Sequence, residues 1–306
     1  MNLVLSIFAS DILPVFAIAG AGFLLARYAK ADVKTLVRVV FYALLPCLVF
    51  RMVVTSTRTG PEITRMIWLA ALVMGAMGVV GYAAGKMVSL TGAEMRSFLM
   101  VVMFSNGGNY GLPVVRFAFG PETLTYATVF FLAGSVLTYL GAAFIAGGSH
   151  VRLGGALSGA LDKVWRMPSL YGVAMAMIVL AIGRPLPETV MRPVTLLSDS
   201  ALPLMILVLG MQLERAGRPP RPKLVALAVG ISLVIAPMVA LGLTALIGIT
   251  GPARQAAVTL SSMPVAVVTT ILALEFELPA EFVTSAVFVS TLASPLTLTP
   301  LIAYLQ

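Results

Sequence analysis

Stretches of about 20 mostly apolar residues recur along nearly the whole chain, separated by short polar links. Each is long enough to cross ~30 Å of hydrocarbon as a helix. Lipid offers no hydrogen bonds, so a spanning segment must pair its own backbone groups, which leaves helices as the available solution here. The longest polar interval, about 147–166, is too short to hold a soluble domain. Only 10% of the residues are charged, against ~25% in soluble domains, too few to cover a water-facing surface. The expected fold is therefore all-α and integral to the membrane. Ten transmembrane helices are expected at about 4–28, 33–54, 65–90, 95–119, 121–147, 167–182, 189–213, 223–249, 252–274 and 279–304, with an amphipathic lead-in before the sixth. Residues 1–19 carry Asp11 and lack a basic leader, which reads as a retained first span and not a cleaved signal peptide.

The net charge of +8 reflects basic links between spans and not a nucleic-acid surface, since no basic run with interleaved aromatics is present. Thirteen of the 20 Lys and Arg fall in the links after spans one, three, five and seven. The positive-inside bias then places both termini outside a bacterial inner membrane. Cys47 is the single cysteine, so no intrachain disulfide forms. His150 is the single histidine and lies in a link, which gives a His-based metal site or proton relay little support. No P-loop and no G-x-S-x-G elbow is present, so neither ATP drive nor hydrolysis has machinery within the chain. No cofactor or metal is expected.

Landmarks recur at a near-constant offset. Arg27 and Arg184 end similar spans, and Leu45-Pro46 is answered by Leu202-Pro203, each 157 residues on. Arg96 and Arg254 open spans four and nine, and Pro121 and Pro279 open spans five and ten, each 158 apart. An offset of five spans is odd, so the second half would enter the membrane from the opposite side. The expected organisation is a 5+5 inverted repeat, a plan typical of secondary transporters.

Two repeat-related spans cannot run unbroken. Span four holds Ser105-Asn106-Gly107-Gly108-Asn109-Tyr110-Gly111-Leu112-Pro113, and span nine holds Leu260-Ser261-Ser262-Met263-Pro264-Val265. Each glycine costs about 1 kcal/mol in a helix and proline about 3. Backbone groups freed inside a bilayer are tolerable only against protein or a cavity. A pair of ordinary proline kinks remains the plain alternative, and it suits Pro264 better than the stretch with two amide side chains. If both breaks lie near mid-membrane, the N-termini of the second half-helices face a shared centre, each worth roughly half a positive charge. With no Lys or Arg in either central stretch, these dipoles and the Asn106 amide would hold a small organic anion.

Asp199 lies within span seven, where an acid marks either a coupling site or a structural acceptor for hydroxyls. Arg116 reads as a snorkelling interfacial residue and Glu275 as the polar end of span nine. The 17 methionines read as packing filler.

Asn106 to Pro113 (NGGNYGLP), Leu197-Ser198-Asp199 with Leu209-Gly210-Met211, Met263 to Phe276 (MPVAVVTTILALEF) and Pro279 to Phe288 together resemble the auxin efflux carrier family. That family includes plant PIN-FORMED carriers and bacterial malate and malonate permeases. The resemblance runs over nearly the whole chain. It implies the ten-helix inverted-repeat fold of bile-acid transporters and sodium–proton antiporters, with helices four and nine broken and crossing. It also implies a scaffold at 1–60 and 150–215, often dimeric, and an elevator-like transport unit at 61–149 and 216–306. In plant carriers a proline stands at each crossing, and the asparagine after the first contacts the substrate carboxylate. Pro264 matches the second proline and Asn106 that asparagine; Ser105 replaces the first proline, and Val265 stands where a polar residue can follow. The long cytoplasmic loop of the plant carriers is missing. Expected substrate-binding residues are Ser105, Asn106, Gly107, Gly108, Asn109, Tyr110 and Pro113, with Ser262, Met263, Pro264 and Val265 opposite. The expected function is secondary transport of small organic anions such as malate, malonate or auxin-like acids, with a sodium- or proton-coupled symporter or antiporter of the same fold as the alternative. The expected partners are the anion, the lipid bilayer and a second copy meeting through the scaffold.

Overall fold

The computed structural model describes residues 3–55, 60–146, 153–183, 186–214 and 220–306. Arg58, His150, Arg152, Arg184, Arg215 and Arg218 lie outside the described residues. The described chain is helical, with a single isolated β-bridge. We label the helices α1 (Val4–Tyr28), α2 (Val33–Val54), α3 (Gly60–Met87), α4 (Gly92–Met103), α5 (Gly107–Ala146), α6 (Leu153–Trp165), α7 (Pro168–Ile182), α8 (Glu188–Leu213), α9 (Pro222–Ile247), α10 (Gly251–Ser261), α11 (Val268–Glu275) and α12 (Ala280–Leu305). Among the described residues, seven of these are long and apolar enough to cross a membrane (α1, α2, α3, α5, α8, α9 and α12). The number becomes eight if α6 and α7, bent by 51° at their junction, count as one span.

The difference from ten has a physical origin. The expected spans four and nine are interrupted, and their pieces α4, α10 and α11 have 12, 11 and 8 residues, too few to cross alone. The second piece of span four meets span five at Gly120, where the backbone leaves helical geometry, so the two helical stretches 107–119 and 121–146 follow one another as the kinked, 40-residue α5. Gly120 has φ 83° and ψ −167°, a backbone region that only glycine adopts without strain, and Pro121 follows it.

Four helices carry a five-residue π turn, at Phe8–Ile12, Val40–Leu44, Gly107–Gly111 and Ile231–Ile235. Each is followed directly by an X-Pro pair: Leu13-Pro14, Leu45-Pro46, Leu112-Pro113 and Ala236-Pro237. Proline has no N–H to give, and its ring pushes away the carbonyl four residues back. The residue before it reaches one position further, as in Leu13 N–H to Phe8 O and Leu112 N–H to Gly107 O. These local sequences thus convert an α turn into a π turn.

Small residues bring helices into close contact. α1 packs on α8 and α2 on α7. A Cβ added at Gly210 would lie 1.7 Å from the Ala19 carbonyl oxygen, and one added at Gly172 would lie 2.6 Å from that of Pro46. Backbones touch at both crossings, as expected where lipid supplies no hydrophobic drive for helix association. Asp32 caps α2, its carboxylate accepting from the amides of Lys34 and Thr35 at 3.2 and 3.1 Å and from the Thr35 hydroxyl. The Thr35 hydroxyl, then the two amides, hold the Asp32 carboxyl below its usual range. α10 lies against α5, and α12 packs on α4, α9 and α11. This arrangement brings the two interrupted stretches together in the core.

Candidate functional site: the meeting of two broken helices

Between α4 and α5 the chain leaves helical geometry at Phe104, Ser105 and Asn106, and between α10 and α11 it does so at 262–267. The two extended pieces meet as a short antiparallel bridge, Ser105 opposite Val265. The Asn106 amide donates to the Pro264 carbonyl at 2.7 Å, and the Ala266 amide to that of Phe104 at 2.8 Å. Breaking a helix in lipid strands backbone groups; here each break pairs with the other. The Ser105 hydroxyl adds a bond to the Leu260 carbonyl at 3.0 Å. The Val265 amide donates to the Ser290 hydroxyl of α12, also at 3.0 Å.

The structure brings together the residues singled out in both stretches. Gly107 to Gly111 form the π turn that opens α5, and the buried Pro113 fixes that turn. Gly108 faces the Phe131 ring, whose nearest carbon would be 2.9 Å from an added Cβ. Met263 is fully buried against Gly111, and Pro264 and Val265 are buried in the bridge. Ser262 is buried too, and its hydroxyl returns to the Val258 carbonyl of its own helix at 2.6 Å. The Tyr110 ring stands edge-on to Phe16 of α1, with centroids 6.1 Å apart, and its hydroxyl pairs with Ser294 of α12 at 2.9 Å.

Asn106 and Asn109 are 6% and 7% exposed. Asn109 Nδ2 donates to Gln212 Oε1 at 3.4 Å, while its Oδ1 has no partner. Asn106 Nδ2 is buried and has no partner either. An unmade bond on a buried amide costs about 1–3 kcal/mol, so Asn106 Nδ2 is a standing donor and Asn109 Oδ1 a standing acceptor for a ligand. No charged side chain stands between Phe104 and Val115 or between Ala257 and Ile271. Two helices open beside this centre, α5 at Gly107 and α11 at Val268, and a helix N-terminus carries partial positive charge. The first-turn amides of α5 lack an intrahelical acceptor by position.

Ser290, Ser294 and Gln212 also reach the site, and sequence reasoning did not select them. The signal was a hydroxyl pair spaced by four on α12, which alone reads as ordinary helix interior. Asp199 is not part of the centre. Its side chain is 64% exposed and pairs with Arg51 of α2 at 2.5 Å. Arg116 is exposed, and Glu275 pairs with Lys163 of α6. Two cavities lie elsewhere, one of about 250 Å³ bounded by Glu94, Ser97, Arg221 and Phe282, the other of about 220 Å³ bounded by Tyr139, Ala156, Lys163 and Glu275. Neither includes a residue of the two breaks.

The chain is 26% identical over 268 residues to an uncharacterized transporter of Methanothermobacter thermautotrophicus, covering 87% of this chain and 86% of that one. It is 26% identical over 273 residues to an uncharacterized transporter of Methanocaldococcus jannaschii, covering 84% and 85%. The family described as membrane transport protein matches residues 7–152 and 158–302. With nearly its whole length matched, the chain belongs to that family, the one that contains the auxin efflux carriers.

Proposed function

We propose that the protein is a secondary transporter of small organic anions, with carboxylates such as malate, malonate or auxin-like acids as cargo. The observation that carries this reading is the side-chain nitrogen Nδ2 of Asn106, buried without a partner between two helix N-termini in a region free of fixed charge. A carboxylate there would gain a charge-assisted bond at no cost of displacing a cation. Malate is a better first probe than a bulky acid, because Phe131 and Met263 press on the glycines of the π turn.

In this reading the spans form ten helices in a 5+5 inverted repeat, with spans four and nine crossing at their breaks. The packing of α1 on α8 and of α2 on α7 supports it, since a five-span repeat interchanges these two pairs. Helices α1, α2, α7 and α8 would form a scaffold that dimerises, and the remainder a transport unit that alternates access by moving as an elevator. The same reading puts both termini outside an inner membrane.

The test is uptake of labelled malate, malonate and indole-3-acetate by the purified protein in liposomes, repeated with Asn106→Ala. We expect at least one of these to enter, and Asn106→Ala to slow it at least about tenfold without a change in thermal stability beyond about 5 °C. Uptake at the parental rate in that variant would remove the site; no uptake of any carboxylate by the parent would remove the substrate class.

A further inference from the structure

Of the 12 carboxylates in the sequence, Asp11 alone is buried, at 7% exposure. It sits in the first π turn, about 10 Å along α1 from Val4 at 1.5 Å per residue, and so within the hydrocarbon depth. The one side-chain hydrogen bond it makes is from its neighbour Ser10, at 2.7 Å, and no ion pair reaches it among the described residues. Helices α5 and α12 pack on this turn. The titratable side chains on their facing stretches are Tyr110, Arg116, Glu122 and Tyr304. Tyr110 is committed to Ser294, Arg116 is exposed, Glu122 is exposed, and Tyr304 takes a hydrogen bond from Arg254. Among the described residues, Tyr110, Arg116 and Tyr304 make no hydrogen bond or ion pair to Asp11, whose hydrogen bond is to Ser10.

The turn is also joined to the meeting of the broken helices. Ile7, Ile12 and Val15 share one buried cluster with Tyr110, Val114, Met263 and Ile302. Phe16, one turn on, contacts the Tyr110 ring. Charges interact more strongly across such an apolar seam than through water. An ionised Asp11 therefore opposes an anion bound at the break, and no counter-charge is paired with it among the described residues.

We propose that Asp11 is the proton-binding residue of the transport cycle. Its carboxylate takes one proton from water to form an O–H bond as the site loads, and returns it to water as the site empties. One proton then accompanies each anion. The inference rests on the carboxylate-transport reading above.

Two measurements separate them. In liposomes clamped at zero potential with valinomycin and equal potassium, one proton per malate sustains about tenfold accumulation for each pH unit of gradient. We expect this of the parent and of Asp11→Glu, whereas Asp11→Asn lets malate equilibrate without accumulating. Hydrogen-exchange protection of residues 3–16 and 107–119, taken relative to the intrinsic amide rate at each pH and followed from about pH 5 to about pH 8 without substrate, should change with pH in the parent and not in Asp11→Asn. A pH response of exchange that depends on Asp11, in a protein that moves no malate, overturns the carboxylate reading and leaves the proton site standing. Malate uptake by the parent that ignores the pH gradient overturns the proton site. So does accumulation by Asp11→Asn equal to that of the parent.

Discussion

The two helix breaks occupy the same centre and are built in opposite ways. The first uses three glycines and two asparagines, and it ends with two side-chain amide atoms that have no partner, Asn106 Nδ2 and Asn109 Oδ1. The second uses one proline, and its polar side chains are spent locally: Ser261 and Ser262 return to the carbonyls of Ala257 and Val258 at 2.7 and 2.6 Å. Its Val265 amide is taken by Ser290. One break holds unused hydrogen-bonding capacity, and the other is closed on itself. Backbone pairing needs two strands, but recognition needs free donors on only one of them. On the function proposed above, the first break would make the contact with cargo and the second would hold it in place.

Substitutions at the two sides should separate these tasks. The largest effect belongs to Asn106→Ala, at least about tenfold in initial uptake, as expected when a hydrogen bond to a charged group is lost. Next comes Gly108→Ala, which forces a methyl against the Phe131 ring and Met205. Overpacking of this kind costs about 1–3 kcal/mol and should lower the unfolding temperature; Phe131→Leu in the same chain should recover part of it. Ser290→Ala strands the Val265 amide and should destabilise by about 1–2 kcal/mol, while leaving the relative rates of different carboxylates unchanged. The smallest effect is expected of Ser262→Ala. Its hydroxyl serves only its own helix, so uptake should stay within about twofold. If Ser262→Ala and Asn106→Ala slow uptake alike, the asymmetry between the breaks is wrong.

Much of this was legible from the residues. Hydropathy located the spans because a helix in lipid must be long and apolar, and the breaks announced themselves because glycine, asparagine and proline have no other business there. What could not be read was phase. Gly120 followed by Pro121 reads as the end of one helix and the start of another, and the backbone does leave helical geometry at Gly120. Asp199 reads as an acid inside a span, but the phase of α8 turns it outward to Arg51. Ser290 and Ser294 sit 25 and 184 residues from the groups they bind, and helical serines have their own carbonyls to satisfy. Nothing local marks them.

The π turns have a further consequence. Each holds one residue more than the α-helical path between the same two points would need. The chain therefore carries slack within four of the described helices and not only in its links. Removing one residue from such a turn would leave the helix its length and its ends nearly where they are. It would also leave the two flanking stretches nearly in phase, because the turn already absorbs the extra residue. In α1 the surroundings of Ile7 and of Val15 would both be kept, and only the stretch Phe8–Ile12 would be re-aimed. A protein held in lipid, where links are short and span lengths are fixed by the bilayer, can gain or lose a residue inside a helix and alter one turn without changing what it spans.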